Sequence, residues 1–133
     1  MAFLQRVLKV QAAVWALGGV LLGLVPRWLI HDAFGQPPMG EHAWVRAAGV
    51  MAVVLAMLMV LVAQRVTDVW WWAWAFALLE AGVATVFVVN AAFGLHGGAE
   101  AWPWWTLGGL SVALGALDLV GITAAGREKP IVP

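Results

Sequence analysis

Glu80 and Asp118 are the residues of this chain that type and spacing best suit to chemistry. Each interrupts a long apolar run, where an ionisable side chain is costly and usually serves a function. At helical rise Glu80 lies about 15 Å from the edge marked by Trp70, and Asp118 about 10 Å from Ala125. Gln11, in a third apolar run, falls at a similar depth. Three polar side chains on three helices are thus expected to form one intramembrane layer. Two readings compete. In the first, Gln11, Glu80 and Asp118, with Lys9 as a fourth candidate, satisfy one another as an interhelical hydrogen-bonded knot. In the second, the acids relay protons or couple to a cation. No histidine, lysine or arginine at mid-membrane depth completes a relay, so the knot is the expected reading.

The remaining chemistry-bearing residues belong to the connections. Arg46 stands near a helix N-terminus, where a cation opposes the helix dipole. It calls for Asp32, Glu41, Glu100 or a lipid phosphate, and it is the candidate contact for a head group or other anion. His31, His42 and His96 all fall on one side, with the same carboxylates nearby. Histidine and carboxylate together can ligate zinc or copper. Their spacing matches no metal motif, so no metal site is expected, and these three histidines are the weak candidates for one. None lies at mid-membrane depth, which removes the usual axial ligand for a buried haem. No cofactor other than lipid is expected. Thr85 and Asn90 are read as bonding to their own helix or to a neighbour.

These residues must be positioned by membrane helices. Of the 133 residues 64% are hydrophobic and only 11% are charged. That is well short of the roughly 25% charged residues of a soluble domain. The net charge of +0 provides no basic surface for nucleic acid. With no cysteine, thiolate metal sites, disulfides and thiol catalysis are excluded. About twenty apolar residues cross a bilayer, and four runs qualify, over about 3–25, 43–64, 70–95 and 103–125, followed by a polar tail at 126–133. Arg6 and Lys9 ahead of Val10–Val25 could mimic a signal peptide, but no small-x-small site precedes Pro26, so this run is read as the first span. The expected fold is an all-α, antiparallel up-and-down bundle of four transmembrane helices in one domain. Arg6, Lys9, Arg65, Arg127 and Lys129 outweigh Arg27 and Arg46, which places both termini in the cytoplasm and the protein in the cell's inner (cytoplasmic) membrane.

Tryptophan marks the ends of the spans. Trp70, Trp71, Trp72 and Trp74 define one edge, and Trp28, Trp44, Trp102, Trp104 and Trp105 the other, as in an aromatic belt. Trp15 alone lies deeper. Small residues define packing faces: Ala12, Ala16, Gly19 and Gly23 on the first helix, Ala77 beside Glu80 on the third, and Gly108 and Gly115 on the Asp118 face of the fourth. On the second helix Ala48, Ala52 and Ala56 give a small stripe, and no polar side chain stands between Ala47 and Ala63. That helix is expected to face lipid or an apolar partner. A loop of about five residues is expected to join the second and third helices, and a short interfacial helix to begin at Trp28.

Pro26, the turn Phe34-Gly35-Gln36-Pro37-Pro38 and the stretch Trp44-Val45-Arg46-Ala47-Ala48-Gly49 together resemble a family of small four-helix bacterial membrane proteins. Those proteins carry a proline after helix one, a phenylalanine-glycine-x-proline turn, an arginine opening helix two and, often, an acid where Asp118 stands. More distantly the chain resembles four-helix small subunits of membrane oxidoreductases. Both resemblances imply the fold, and neither supplies an active site. No nucleophile–base pair or phosphate loop is present, so no enzymatic activity is expected. The expected role is an accessory or structural subunit packed against other integral membrane subunits. One alternative is a small homo-oligomeric proton-coupled transporter using Glu80. Another is a quinone- or lipid-binding redox subunit using Arg46.

Overall fold

A backbone in hydrocarbon has no water to bond to, so apolar runs of this length must close their hydrogen bonds internally as helices. The computed structural model describes residues 1–95 and 97–129. Four helices are long and apolar enough to cross a membrane: α1 (Ala2–Leu24), α2 (Ala43–Gln64), α3 (Val66–Gly94) and α4 (Trp102–Glu128). No strand occurs among the described residues. The chain is therefore an all-helical, multi-pass membrane protein.

The ends of the helices follow local chemistry. Val25, just before Pro26, leaves the helical region at φ −130° and ψ 48°, as the residue preceding a proline tends to do. Lys129 does the same before Pro130, at φ −143° and ψ 84°. Helix α4 therefore continues through Gly126, Arg127 and Glu128, part of the segment expected as a polar tail. Arg127 in its last turn suits the negative end of the helix dipole; the rest of that tail, Pro130 to Pro133, lies outside the described residues. Between α2 and α3 the expected five-residue loop is replaced by a break at Arg65 alone, with φ −116° and ψ 30°. Helix resumes at Val66, four residues before Trp70. Carbonyls freed at this turn find side-chain donors: Gln5 Nε2 donates to Ala63 O at 2.9 Å, and Lys129 Nζ to Thr67 O at 2.7 Å.

α1 packs most extensively on α2, and α3 on α4, while α1 and α4 join the two pairs. The α1–α2 contact is a crossing of glycines. A Cβ on Gly49 would stand 2.6 Å from Gly19 O and 2.6 Å from Gly23 N, so the two backbones touch. Gly49 thus leads a buried stripe with Ala52, Ala56, Met59 and Ala63. It takes the place expected for Ala48, which is exposed. Where α1 crosses α4, a Cβ on Gly121 would approach Leu4 Cα at 3.2 Å. The apolar core gathers at this end, around Leu4, Leu8, Met59, Phe76 and Ile122. Trp70 belongs to it and not to the belt. Because α3 starts at Val66, Trp70 is a turn inside the helix, and its ring lies against Gly126. Trp71, Trp72 and Trp74 remain exposed.

The N-terminal ammonium meets Glu128, tying the start of α1 to the end of α4. The opposite ends are held by Gln36. Its Nε2 donates to Phe34 O at 2.9 Å and to Glu100 O at 2.8 Å, and its Oε1 accepts from Trp104 Nε1 at 3.0 Å. Phe34 packs edge-on to Trp102 at 5.7 Å. Gly35, at φ 61°, takes the left-handed conformation that this turn requires.

Candidate functional site

Gln11 on α1, Glu80 on α3 and Asp118 on α4 meet in one closed layer, with exposures of 0%, 1% and 0%. The backbone allows this because small residues surround them. A Cβ on Gly115, one turn before Asp118, would reach Glu80 Cβ at 3.2 Å, so α3 and α4 approach closely at this depth. Ala77 and Ala84 are buried on the Glu80 face, and Gly108 and Ser111 on the Asp118 face. Higher up, a Cβ on Gly108 would stand 3.2 Å from a Val88 methyl.

Two donors serve the layer, and both go to one oxygen. Gln11 Nε2 donates to Glu80 Oε1 at 2.9 Å, and Trp15 Nε1 donates to the same oxygen at 2.7 Å. The depth of Trp15, anomalous for a belt residue, thus places its indole N–H on Glu80. Asp118 lies beside both Glu80 and Gln11, with the amide of Gln11 as its nearby donor, and neither of its oxygens is in a hydrogen bond of good geometry. Glu80 Oε2 and Gln11 Oε1 are also without one. Both Asp118 oxygens, Glu80 Oε2 and Gln11 Oε1 are thus four buried oxygens without a well-formed hydrogen bond. Lys9 does not join them; it is exposed, near the start of α1.

That imbalance has a chemical consequence. A buried acceptor without a donor costs about 1–3 kcal/mol, and more if charged. An unpaired charge in such a place costs several kcal/mol. The layer is short of hydrogen-bond donors, and a proton taken up by a carboxyl supplies one while removing its charge.

Arg46 lies outside this layer. It is exposed, and no carboxylate among the described residues forms an ion pair with it. With Arg27, Trp28, Asp32 and His42 it lines a cavity of about 380 Å³ between the end of α1 and the start of α2. His31 and His42 are in contact, Nε2 to Nε2 at 3.2 Å; His96 lies outside the described residues. Among the described residues, no group of three His, Cys, Asp or Glu could hold a metal ion. Thr85 and Asn90 bond back to their own helix, to Ala81 O and Val86 O, each at 2.8 Å.

No family model, no curated protein and no solved structure matches the chain.

Proposed function

We propose that this chain is a small proton-handling protein of the inner membrane, in which Glu80 and Asp118 bind and release protons as these cross the bilayer. The observation that carries this reading is the donor deficit of the layer. A purely structural knot gains stability by mutual satisfaction, whereas three carboxyl oxygens here have no partner. Gln11 and Trp15 hold Glu80 Oε1 and orient its carboxyl, which leaves Oε2 and the Asp118 oxygens to take the proton. In this proposal the bundle is antiparallel and up-and-down, with both termini cytoplasmic. The contact between the N-terminal ammonium and Glu128 supports both ends sharing one side, and the basic-residue count supports the cytoplasmic one. Closure of the layer means that protons enter only when helices part.

The full chain reconstituted in liposomes enclosing a pH-sensitive dye tests this. Under an imposed pH gradient, with potassium and valinomycin to balance charge, the protein should speed proton entry over protein-free vesicles. Glu80→Gln should remove the increase. Equal rates for wild type and empty vesicles would defeat the proposal.

A second reading, an accessory subunit of a larger membrane complex, is favoured by a different observation. An apolar groove of about 430 Å³ runs between α1 and α2, floored by Ala12, Ala16 and Ala56. Small residues in an outward groove suit a partner helix or a lipid chain. Stoichiometric co-purification of other integral membrane subunits in mild detergent would support that reading.

A further inference from the structure

His31 and His42 are separated by eleven residues and held on two different elements. His31 belongs to the short helix Trp28–Ala33, and His42 is the residue on which α2 begins. Their Nε2 atoms face each other at 3.2 Å, with the rings near perpendicular at 80°. His31 Nδ1 lies 3.0 Å from Gln36 O. A carbonyl oxygen only accepts, so Nδ1 carries the hydrogen and donates it. In the neutral ring this leaves Nε2 with its lone pair directed at His42.

This arrangement has the features of a metal-binding pair. A histidine that ligates a metal through one ring nitrogen commonly donates from the other to a carbonyl or carboxylate, which fixes tautomer and ring orientation. Two nitrogens bound at about 2.0–2.1 Å to a tetrahedral ion lie about 3.3 Å apart. In neighbouring corners of a square-planar ion they lie about 2.9 Å apart. The observed 3.2 Å falls between these values. The Gln36 clasp and the start of α2 hold both rings in place, so little reorganisation is needed.

We infer that His31 Nε2 and His42 Nε2 bind one borderline divalent ion, of the class of copper, zinc or nickel, at the end of the bundle away from the chain's N-terminus. Without metal, one Nε2–H donates to the other Nε2. On binding, His42 carries its hydrogen on Nδ1, and both Nε2 lone pairs go to the ion. No third His, Cys, Asp or Glu among the described residues completes the set. Water or an anion can fill the remaining positions. Arg27 and Arg46 share a cavity wall with His42 and outnumber the one carboxylate there, Asp32, so an anion suits it.

The test uses the full chain in detergent, without a polyhistidine tag, titrated with copper(II) and read by electron paramagnetic resonance. One equivalent should bind with nitrogen superhyperfine structure from two imidazoles, and only a large excess of zinc(II) should displace it. His31→Ala and His42→Ala should each weaken binding by at least about tenfold. If a variant fails to fold, the unsubstituted protein still decides. Zinc(II) should then protect His31 and His42 from diethylpyrocarbonate, as mapped by mass spectrometry. Copper binding unchanged by the double substitution, or no protection of either ring, overturns the inference.

Discussion

Replacing Gly49 with alanine should separate α1 from α2, the most extensive helix pair in the molecule. The added methyl would lie 2.6 Å from Gly19 O, 2.6 Å from Gly23 N and 3.1 Å from Gly23 Cα. All three atoms are backbone, so no side chain can turn aside to relieve the clash. Ordinary contact starts near 3.4 Å, so the helices must part by roughly 0.8 Å at the crossing, a gap that forfeits a quarter to a half of each local dispersion contact. Overpacking of this kind costs about 1–3 kcal/mol, and the rigid surroundings put Gly49→Ala at the upper end. Gly18→Ala and Gly23→Ala are the matched controls, because a Cβ at either position meets nothing within 4 Å. Both should stay within about 0.5 kcal/mol of the unsubstituted protein. Reversible unfolding in mixed detergent micelles, followed by circular dichroism, measures all three. The reasoning is refuted if Gly49→Ala is as stable as Gly18→Ala, or if Gly23→Ala is as damaging as Gly49→Ala.

Other expectations follow from single contacts. Trp15→Phe removes one of two donors to Glu80 Oε1 and leaves that of Gln11; it should cost about 0.5–1.5 kcal/mol in the same unfolding assay, the range for one lost hydrogen bond. Gln36→Ala breaks three hydrogen bonds, to Phe34 in its own turn, to Glu100 in the other loop and from Trp104 on α4; it should speed amide hydrogen exchange around Phe34 and Glu100 and leave the α1–α2 crossing unchanged. Thr85→Val should change stability by no more than about 0.5 kcal/mol, since the hydroxyl serves only its own helix. A larger loss would reveal a partner for Thr85 outside α3.

The spans were legible in the sequence because length and apolarity suffice to define a crossing, and prolines at 26 and 130 mark two of the ends. The turn between α2 and α3 was not legible. Arg65, Thr67 and Asp68 read as a polar loop, but hydrogen bonds from Gln5 and Lys129, distant in sequence, stabilise a one-residue break. Co-location of Gln11, Glu80 and Asp118 was readable from depth and from the small residues beside each acid. The part played by Trp15 was signalled only by its depth, and its choice of Glu80 depends on helix rotation, which periodicity does not provide. Lys9, a fourth candidate for the layer, stays out of it: it lies near the start of α1 and is exposed. Gly49 and Gln36 stood in recognisable motifs, yet the partners that give them importance, Gly19, Gly23, Glu100 and Trp104, come from other segments.

The central claim is that Glu80 and Asp118 form a layer that exchanges protons with water despite being closed. Infrared difference spectroscopy of the reconstituted protein through a pH step tests it most directly, because carboxyl stretching bands report protonation in place. The account predicts two reversible carboxyl bands that shift in D2O, one missing in Glu80→Gln and the other in Asp118→Asn. A difference spectrum that is the same in the double variant as in the unsubstituted protein would show that the layer is sealed and structural, contradicting the account.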